Sequence, residues 1–271
     1  MNLASPVQVK AWCLENGFHP NKTLGQNFLT DGNVTKAIAA TGLELAAAAG
    51  AGGAPRILEI GPGLGALTRE LLAAGARVTA VEKDPVLAKR LAGALGSPGN
   101  LEVVEGDALR MIEEGGADGL YDAMVSNLPY ASGTRMLLEL ASRRSMPAMT
   151  ALVQTEVAER LAAREGSRTR SLAGVMAQLD YDVRIVRNVS AACFWPRPKI
   201  GSSVITLAKH GRNDGLSAAE RKTFRDIAKR AFAHRRKQLG SIFGDLIQSR
   251  SRAEELSNEE WTTLAKGITE K

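Results

Sequence analysis

Apolar positions along most of this chain switch between two periods. Short β-rich runs stand at Arg56–Ile60 (RILEI), Arg77–Val81 (RVTAV), Leu101–Glu105 (LEVVE), Ala123–Ser126 (AMVS) and Met149–Gln154 (MTALVQ). Stretches with helical spacing lie between or after them, at Ala66–Ala74, Pro85–Leu95, Gly133–Ser142 and Thr155–Ala163. Pro85 suits the first turn of its helix, where a missing N–H costs nothing. Alternation of this kind predicts an α/β fold, a mostly parallel sheet with helices on both faces. Two later runs, Asp182–Val189 and Ser202–Lys209, follow one another without a helix between them, which predicts an antiparallel edge strand.

The pattern changes near His210–Gly215 (HGRNDG). Beyond it only helical signals remain, including two capping-box patterns, Ser217–Glu220 and Ser257–Glu260. The expected organisation is a domain over residues 1–210 with an N-terminal helical extension, and a small helical domain over 211–271. The low-complexity stretch Ala46–Ala54 (AAAAGAGGA) is expected to join the N-terminal helical piece to the first strand.

Composition narrows the class. With 44% hydrophobic and 24% charged residues in 271, the chain is expected to be globular rather than disordered. No apolar run approaches the roughly 20 residues of a membrane helix. The start lacks the basic-then-apolar pattern of a signal peptide. Two cysteines, Cys13 and Cys193, make no disulfide scaffold. His19, His210 and His234 have no partners at ligand spacing, so no metal is expected. These features predict a cytoplasmic protein with no membrane partner.

Glu59-Ile-Gly-Pro-Gly-Leu-Gly65 follows a strand and opens a helix. Gly61, Gly63 and Gly65 let backbone approach a ligand, and the helix offers free N–H groups. By itself the turn also suits a dehydrogenase, with Ala66 where the dinucleotide fingerprint has its last small residue. Glu82 ends the second strand about 20 residues later, where a carboxylate can accept from both ribose hydroxyls. Asp107 follows the third strand and can accept from the exocyclic amine of adenine, although a helix N-cap is an equally good use of it. Three such groups at the ends of three successive strands form one crevice. That crevice suits a nucleoside without a pyrophosphate, such as S-adenosylmethionine.

Asn127-Leu128-Pro129-Tyr130 follows the fourth strand at the same edge. Methylating an exocyclic amine needs such a group. The adenine N6 lone pair is delocalised, and acceptors that hold its hydrogens can aim it at an electrophilic methyl. The Asn127 side-chain carbonyl and the Leu128 backbone carbonyl suit that role. Pro129 stiffens the turn, and Tyr130 offers a ring face to an extruded base. No strong base is required, so catalysis would rest on positioning.

The net charge is +6, and its distribution says more than its size. Residues 221–237 hold eight basic residues and one acid, a net +7, which leaves −1 for the rest. Lys222, Arg225, Lys229 and Arg236 recur at helical steps, opposite Phe224, Ile227, Ala228 and Ala231. With Arg235 and Lys237 they form a cationic stripe able to neutralise RNA phosphates without reading sequence.

Taken together, these motifs resemble the rRNA adenine N6,N6-dimethyltransferases, specifically the small-subunit, KsgA-type family. The resemblance runs from Leu24-Gly-Gln-Asn-Phe-Leu29 through Glu59–Thr68, Glu82–Asp84, Gly106–Ala108, Asn127–Tyr130, Val153–Ala158 and Phe194–Ser202 to Phe232–Lys237. It implies a Rossmann-like class I methyltransferase domain with a small C-terminal helical domain. It also implies that Asn27, Leu29, Gly61, Glu82, Asp107 and Asn127 contact S-adenosylmethionine, and that Phe194 faces Tyr130 across the target base. The implied activity is dimethylation of two adjacent adenosines near the 3′ end of small-subunit rRNA, within an assembling 30S particle. A monomer is expected. Ala131–Thr134, Arg170-Ser171 and Gln238–Ser241 depart from the family pattern, in loops expected to meet RNA. Two alternatives stay open: a large-subunit rRNA methyltransferase of the resistance type, and a mainly RNA-binding assembly factor.

Overall fold

The computed structural model describes residues 3, 5–21 and 23–270. In chain order, α1 (Pro6–Glu15) and the short β1 (Phe28–Leu29) precede α2 (Gly32–Ala48). Then come β2 (Arg56–Ile60), α3 (Ala66–Ala73), β3 (Arg77–Glu82), α4 (Pro85–Ala94), β4 (Leu101–Glu105) and α5 (Ala108–Glu113). Next are β5 (Ala123–Asn127), α6 (Gly133–Arg143), β6 (Ala148–Gln154), α7 (Thr155–Ala162) and α8 (Leu172–Gln178). The chain ends with β7 (Tyr181–Val189), β8 (Phe194–Trp195), β9 (Ser202–Lys209), α9 (Ala218–Ala233), α10 (Leu239–Phe243) and α11 (Asn258–Thr269).

The chain divides into two compact units, residues 1–158 with 184–209, and residues 159–183 with 210–271. The first is built on a seven-stranded sheet of order β4-β3-β2-β5-β6-β9-β7. Strands β2 to β6 pair in parallel, and β9 runs antiparallel to β6 from Gln154↔Ser202 to Ala148↔Ala208. The antiparallel strand predicted at this edge from the absent helix between the last two runs is present as β9, with β7 outside it. Order reverses at β2, the switch point where open α/β sheets place their ligands. Register aligns Ile60 with Val81 and Glu82 with Glu105, and pairs Asn127 with Leu152. The strand ends that carry the candidate residues thus share one edge.

Two short strands that periodicity cannot reveal, β1 and β8, pair antiparallel as Phe28↔Trp195 and Leu29↔Phe194. They bring the N-terminal segment and the Phe194 loop together. Phe28, Phe18, Val9, Cys13, Leu64 and Leu87 form a separate apolar cluster that fixes this segment against the glycine turn and α4. The main core buries Ile38, Ile57, Leu71, Val78, Val125 and Leu152 between the sheet and its helices. The Ala46–Ala54 connection is shorter than its composition suggested, because α2 continues through Ala48.

In the second unit Phe224, Trp261, Leu239, Val175 and Leu179 form the core. The expected single boundary at residue 210 differs from this arrangement. Val175 and Leu179 of the segment 159–183 pack with α9 and α11, so that segment clusters with the C-terminal helices. Both capping boxes form, Ser217 with Glu220 and Ser257 with Glu260. Arg170 is 1% exposed and donates to the Ala163 carbonyl at 3.1 Å and to Asn258 at 2.8 Å. Leu239 is fully buried. Two of the departures from the family pattern thus involve core packing rather than free RNA-facing loops.

Gly42 of α2 lies where a Cβ would stand 2.4 Å from Val125 Cγ2. Gly42→Ala should overpack this contact and cost about 1–3 kcal/mol in urea denaturation. Adding Val125→Ala should recover part of the deficit left by the single changes taken together, a coupling that separate cavity and strain effects would not give.

Candidate active site

One cavity of about 250 Å³ gathers the candidates of the first unit. Asn27, Leu29, Gly61, Gly63, Glu82, Asp107, Asn127, Leu128, Pro129 and Tyr130 all line it. Gly61, Gly63 and Gly65 have φ of +65°, +58° and +86°, a region that other residues enter at a cost. A Cβ on Gly63 would meet the Phe28 ring at 3.0 Å, so the cradle accepts no larger residue there.

The Glu82 carboxylate is 5% exposed and accepts from the Gly63 N–H at 3.0 Å and the Asp84 N–H at 2.9 Å. Burial pushes its carboxyl up, and these two N–H groups oppose the shift. Asp107 Oδ1 accepts from the Leu109 N–H at 2.9 Å, which makes the residue the N-cap of α5. Its Oδ2 accepts from Lys83 at 2.7 Å, and Lys83 holds the carboxyl below its usual range. The capping role and the cavity-lining role coexist, one on each oxygen.

Glu59 was not singled out from the sequence. It is 2% exposed, lines the cavity, and leaves Oε2 without a hydrogen-bond partner among the described residues. Burial pushes its carboxyl up to about 8, and the charge of Glu82 adds to the shift. Its strand position reads as core, so only the three-dimensional arrangement reveals it.

The Asn127–Tyr130 turn is fixed from several sides. The Asn127 amide nitrogen donates to the Asn27 carbonyl at 3.3 Å. Leu128 is 2% exposed, and its N–H donates to the Leu152 carbonyl at 3.2 Å. The Gly133 N–H donates to the Pro129 carbonyl at 2.7 Å. A Cβ on Gly133 would lie 2.7 Å from Leu128 Cβ, which gives the Ala131–Thr134 departure a packing reason. Tyr130 shares a 2.6 Å hydrogen bond with Ser202 through their hydroxyls.

Phe194 differs from its expected place. It is 3% exposed, belongs to the main core, and does not line the cavity. Its ring meets Tyr130 edge-on, at 6.5 Å between centroids and 64° between planes. It packs edge-on against Tyr130 and pairs with Leu29 of β1, buried in the core.

The cationic segment lies in the second unit. Helix α9 ends at Ala233, so Arg235, Arg236 and Lys237 fall beyond the helical stripe. Lys222 pairs with Asp226 at 2.6 Å, and Arg235 donates to the Arg168 carbonyl at 2.6 Å. Arg225, Lys229, Arg236 and Lys237 are exposed. Among the described residues no group of three His, Cys, Asp or Glu could hold a metal, and no helix is long and apolar enough to cross a membrane.

The chain's own groups fit S-adenosylmethionine. Acceptors suited to a ribose diol and an adenine amine face one cavity, a glycine cradle leaves room for backbone approach, and the unpartnered Glu59 Oε2 marks a polar end.

The family described as "Ribosomal RNA adenine dimethylase" matches residues 17–266. The small-subunit rRNA methyltransferase A of Deinococcus radiodurans is 41% identical over 76% of this chain and 67% of its own. That of Rhodococcus opacus is 37% identical over 93% and 85%. A dimethyladenosine transferase from Plasmodium falciparum shares the fold, with a TM-score of 0.71 and 22% identity over 84% of this chain and 94% of that one. The 23S rRNA methyltransferase ErmE does so with a TM-score of 0.65 and 24% identity, over 86% and 97%.

A carboxyl whose pKa is raised on folding binds its proton more tightly in the folded state. Stability is then lost as pH rises from about 4.5 toward 8, and is level above that. Glu59→Gln should flatten this fall, so that the variant gains on the parent protein at pH 8 relative to pH 5. Denaturant titrations of the ligand-free protein at both pH values measure the difference.

Proposed function

This chain belongs to the ribosomal RNA adenine dimethylase family, and from that premise we propose that it dimethylates N6 of adenosines in small-subunit rRNA, using S-adenosylmethionine. The observation that carries the reading is the Asn127 side chain. Its nitrogen donates to the Asn27 carbonyl, and the residue lines the same cavity as Glu82 and Asp107.

When bound, S-adenosylmethionine supplies an electrophilic methyl on a sulfonium. The protein's part is to hold the nucleophile. In the first transfer Asn127 Oδ1 and the Leu128 carbonyl accept the two N6 hydrogens of the target adenosine, and in the second they hold the one hydrogen that remains. That draws the nitrogen out of conjugation and aims its lone pair into the cavity. The ring of Tyr130, anchored by Ser202 at 2.6 Å, stacks on the base. Once methylated the amine is cationic and sheds its proton to solvent, so no residue need act as a strong base. Positioning supplies the rate.

The substrate positions are two adjacent adenosines near the 3′ end of small-subunit rRNA in an assembling 30S particle, and the enzyme acts as a monomer in the cytoplasm. The small-subunit names of its relatives, among them a Novosphingobium aromaticivorans protein 35% identical over 94% of this chain, favour this substrate over large-subunit rRNA. The second unit docks the RNA. Arg225 and Lys229, one helical turn apart and exposed on α9, neutralise phosphates. Arg235 serves its own fold first, through Arg168 and Glu254.

Incubation with labelled S-adenosylmethionine and immature small subunits, free rRNA or large subunits should place label on small-subunit adenosines alone. Label on large-subunit RNA would refute the assignment. Asn127→Ala should abolish transfer, while S-adenosylhomocysteine still binds within about tenfold in calorimetry. The double change Arg225→Glu, Lys229→Glu should lower the slope of log affinity against log salt by about 2, since each lost phosphate contact removes about one. Filter binding across a salt series measures that slope.

A further inference from the structure

Asp107 turns two unlike oxygens to its surroundings. Oδ1 faces the start of α5 and accepts the Leu109 and Arg110 N–H groups at 2.9 and 3.4 Å. Oδ2 accepts the Lys83 ammonium at 2.7 Å. Lys83 and Asp107 both line the cavity, and Lys83 directly follows Glu82. Because Oδ1 is occupied by backbone, an amine arriving from the cavity finds Oδ2, and with it Lys83.

As a stabilising element this pair is weak. The side chains are 57% and 36% exposed, and ion pairs so exposed contribute little to stability. As a recognition element it is well formed. It sets a hydrogen-bond donor beside an acceptor, and the amino edge of adenine carries the converse: an N–H at C6 next to ring-nitrogen acceptors. An ammonium has three N–H groups and can serve a carboxylate and a ring nitrogen together.

We infer that Lys83 belongs to the S-adenosylmethionine site, where its ammonium and the Asp107 carboxylate together read the amino edge of the adenine. Asp107 Oδ2 accepts the N6 hydrogen, and Lys83 donates to the adjoining ring nitrogen while staying paired with Asp107. Lys83 also keeps Asp107 ionised, because its proximity lowers the carboxyl's affinity for protons. A purine whose amino edge abuts the pair would exclude water from it and strengthen both contacts.

The inference rests on the methyl-donor site proposed above, and one experiment separates the two. Calorimetric dissociation constants for S-adenosylhomocysteine are measured for the parent protein, Lys83→Met, Asp107→Asn, the double variant and Lys83→Arg, with ligand-free melting temperatures alongside. Lys83→Met should weaken binding about tenfold, in the range of a lost charge-assisted hydrogen bond. Asp107→Asn should weaken it at least as much. The double variant should bind scarcely worse than Asp107→Asn, Lys83→Arg should recover most of the affinity, and ligand-free melting should not move. Unchanged or tighter binding by Lys83→Met, with Asp107→Asn impaired, would overturn the role of Lys83 and leave the site standing. Unimpaired binding by Asp107→Asn would overturn the site itself.

Discussion

A single buried carboxylate holds the active edge of this protein together. Glu82 is 5% exposed and accepts N–H groups from Gly63 and from Asp84. It therefore ties the glycine turn after β2 to the end of β3. Its main-chain carbonyl takes the Gly106 N–H at 2.9 Å, which adds the start of the β4–α5 turn. Asp84, placed by Glu82, caps α4 through Val86 and Leu87 and also accepts from Gln26 at 3.0 Å. Gln26 precedes Asn27, whose carbonyl receives the Asn127 amide. A continuous line of hydrogen bonds and adjacent residues thus runs from the Glu82 carboxylate to the Asn127 carboxamide. Removing a buried acceptor with two N–H partners leaves both unsatisfied, so damage at Glu82 would reach the glycine turn and the start of α4.

That connectivity suits a reaction that asks for placement more than for acid–base chemistry. The Asn127–Tyr130 turn is pinned by backbone. Gly25, at φ +69°, approaches the Tyr130 and Ala131 nitrogens so closely that a Cβ would stand 3.3 and 3.2 Å from them. From the other side, Gly133 abuts Leu128. A turn held between two glycine contacts has little freedom to drift, and about an ångström of drift is enough to lose much of the benefit of proximity. The polar residues around it orient groups rather than titrate. Burial pushes the Tyr130 hydroxyl up, so it stays neutral and keeps its bond to Ser202.

Much of this edge was legible in the chain because strand ends obey a simple period. Glycines after β2, an acid ending β3, an acid after β4 and Asn127 ending β5 must share an edge once the strands are parallel. What was not legible depends on pairing across long separations. The two-residue strands β1 and β8 are too short to show a period, yet the pairing that joins them holds Phe194 in the core, edge-on to Tyr130. Glu59 reads as one more residue of an apolar strand, and only its packing shows a carboxyl with an unpartnered oxygen. The segment 159–183 lacked any compositional mark of its attachment to the C-terminal helices, since that attachment is made by ordinary apolar residues such as Val175 and Leu179.

Charge illustrates the same limit from the other direction. The excess on residues 221–237 is real in the sequence, but its members do different work. Arg221 is bound to Asp180 at 2.8 Å with side chains only 12% and 6% exposed. Arg230 donates to the Ile242 carbonyl at 2.8 Å and lies over the Phe243 ring. Both cations serve the fold of the second unit, and reversing Arg221 would damage that unit before it tested any RNA contact, because a buried ion pair loses far more when one partner is removed than it contributes intact. Only cations without such partners are free to exchange counterions for phosphate. The −1 left for the rest of the chain is an average as well. Residues 184–209 hold five cations and no acid, offset by acids placed elsewhere in the same unit. A net count measures the sum, whereas a polyanion meets the local surface, and the two agree only after packing has assigned each charge to the fold or to the solvent.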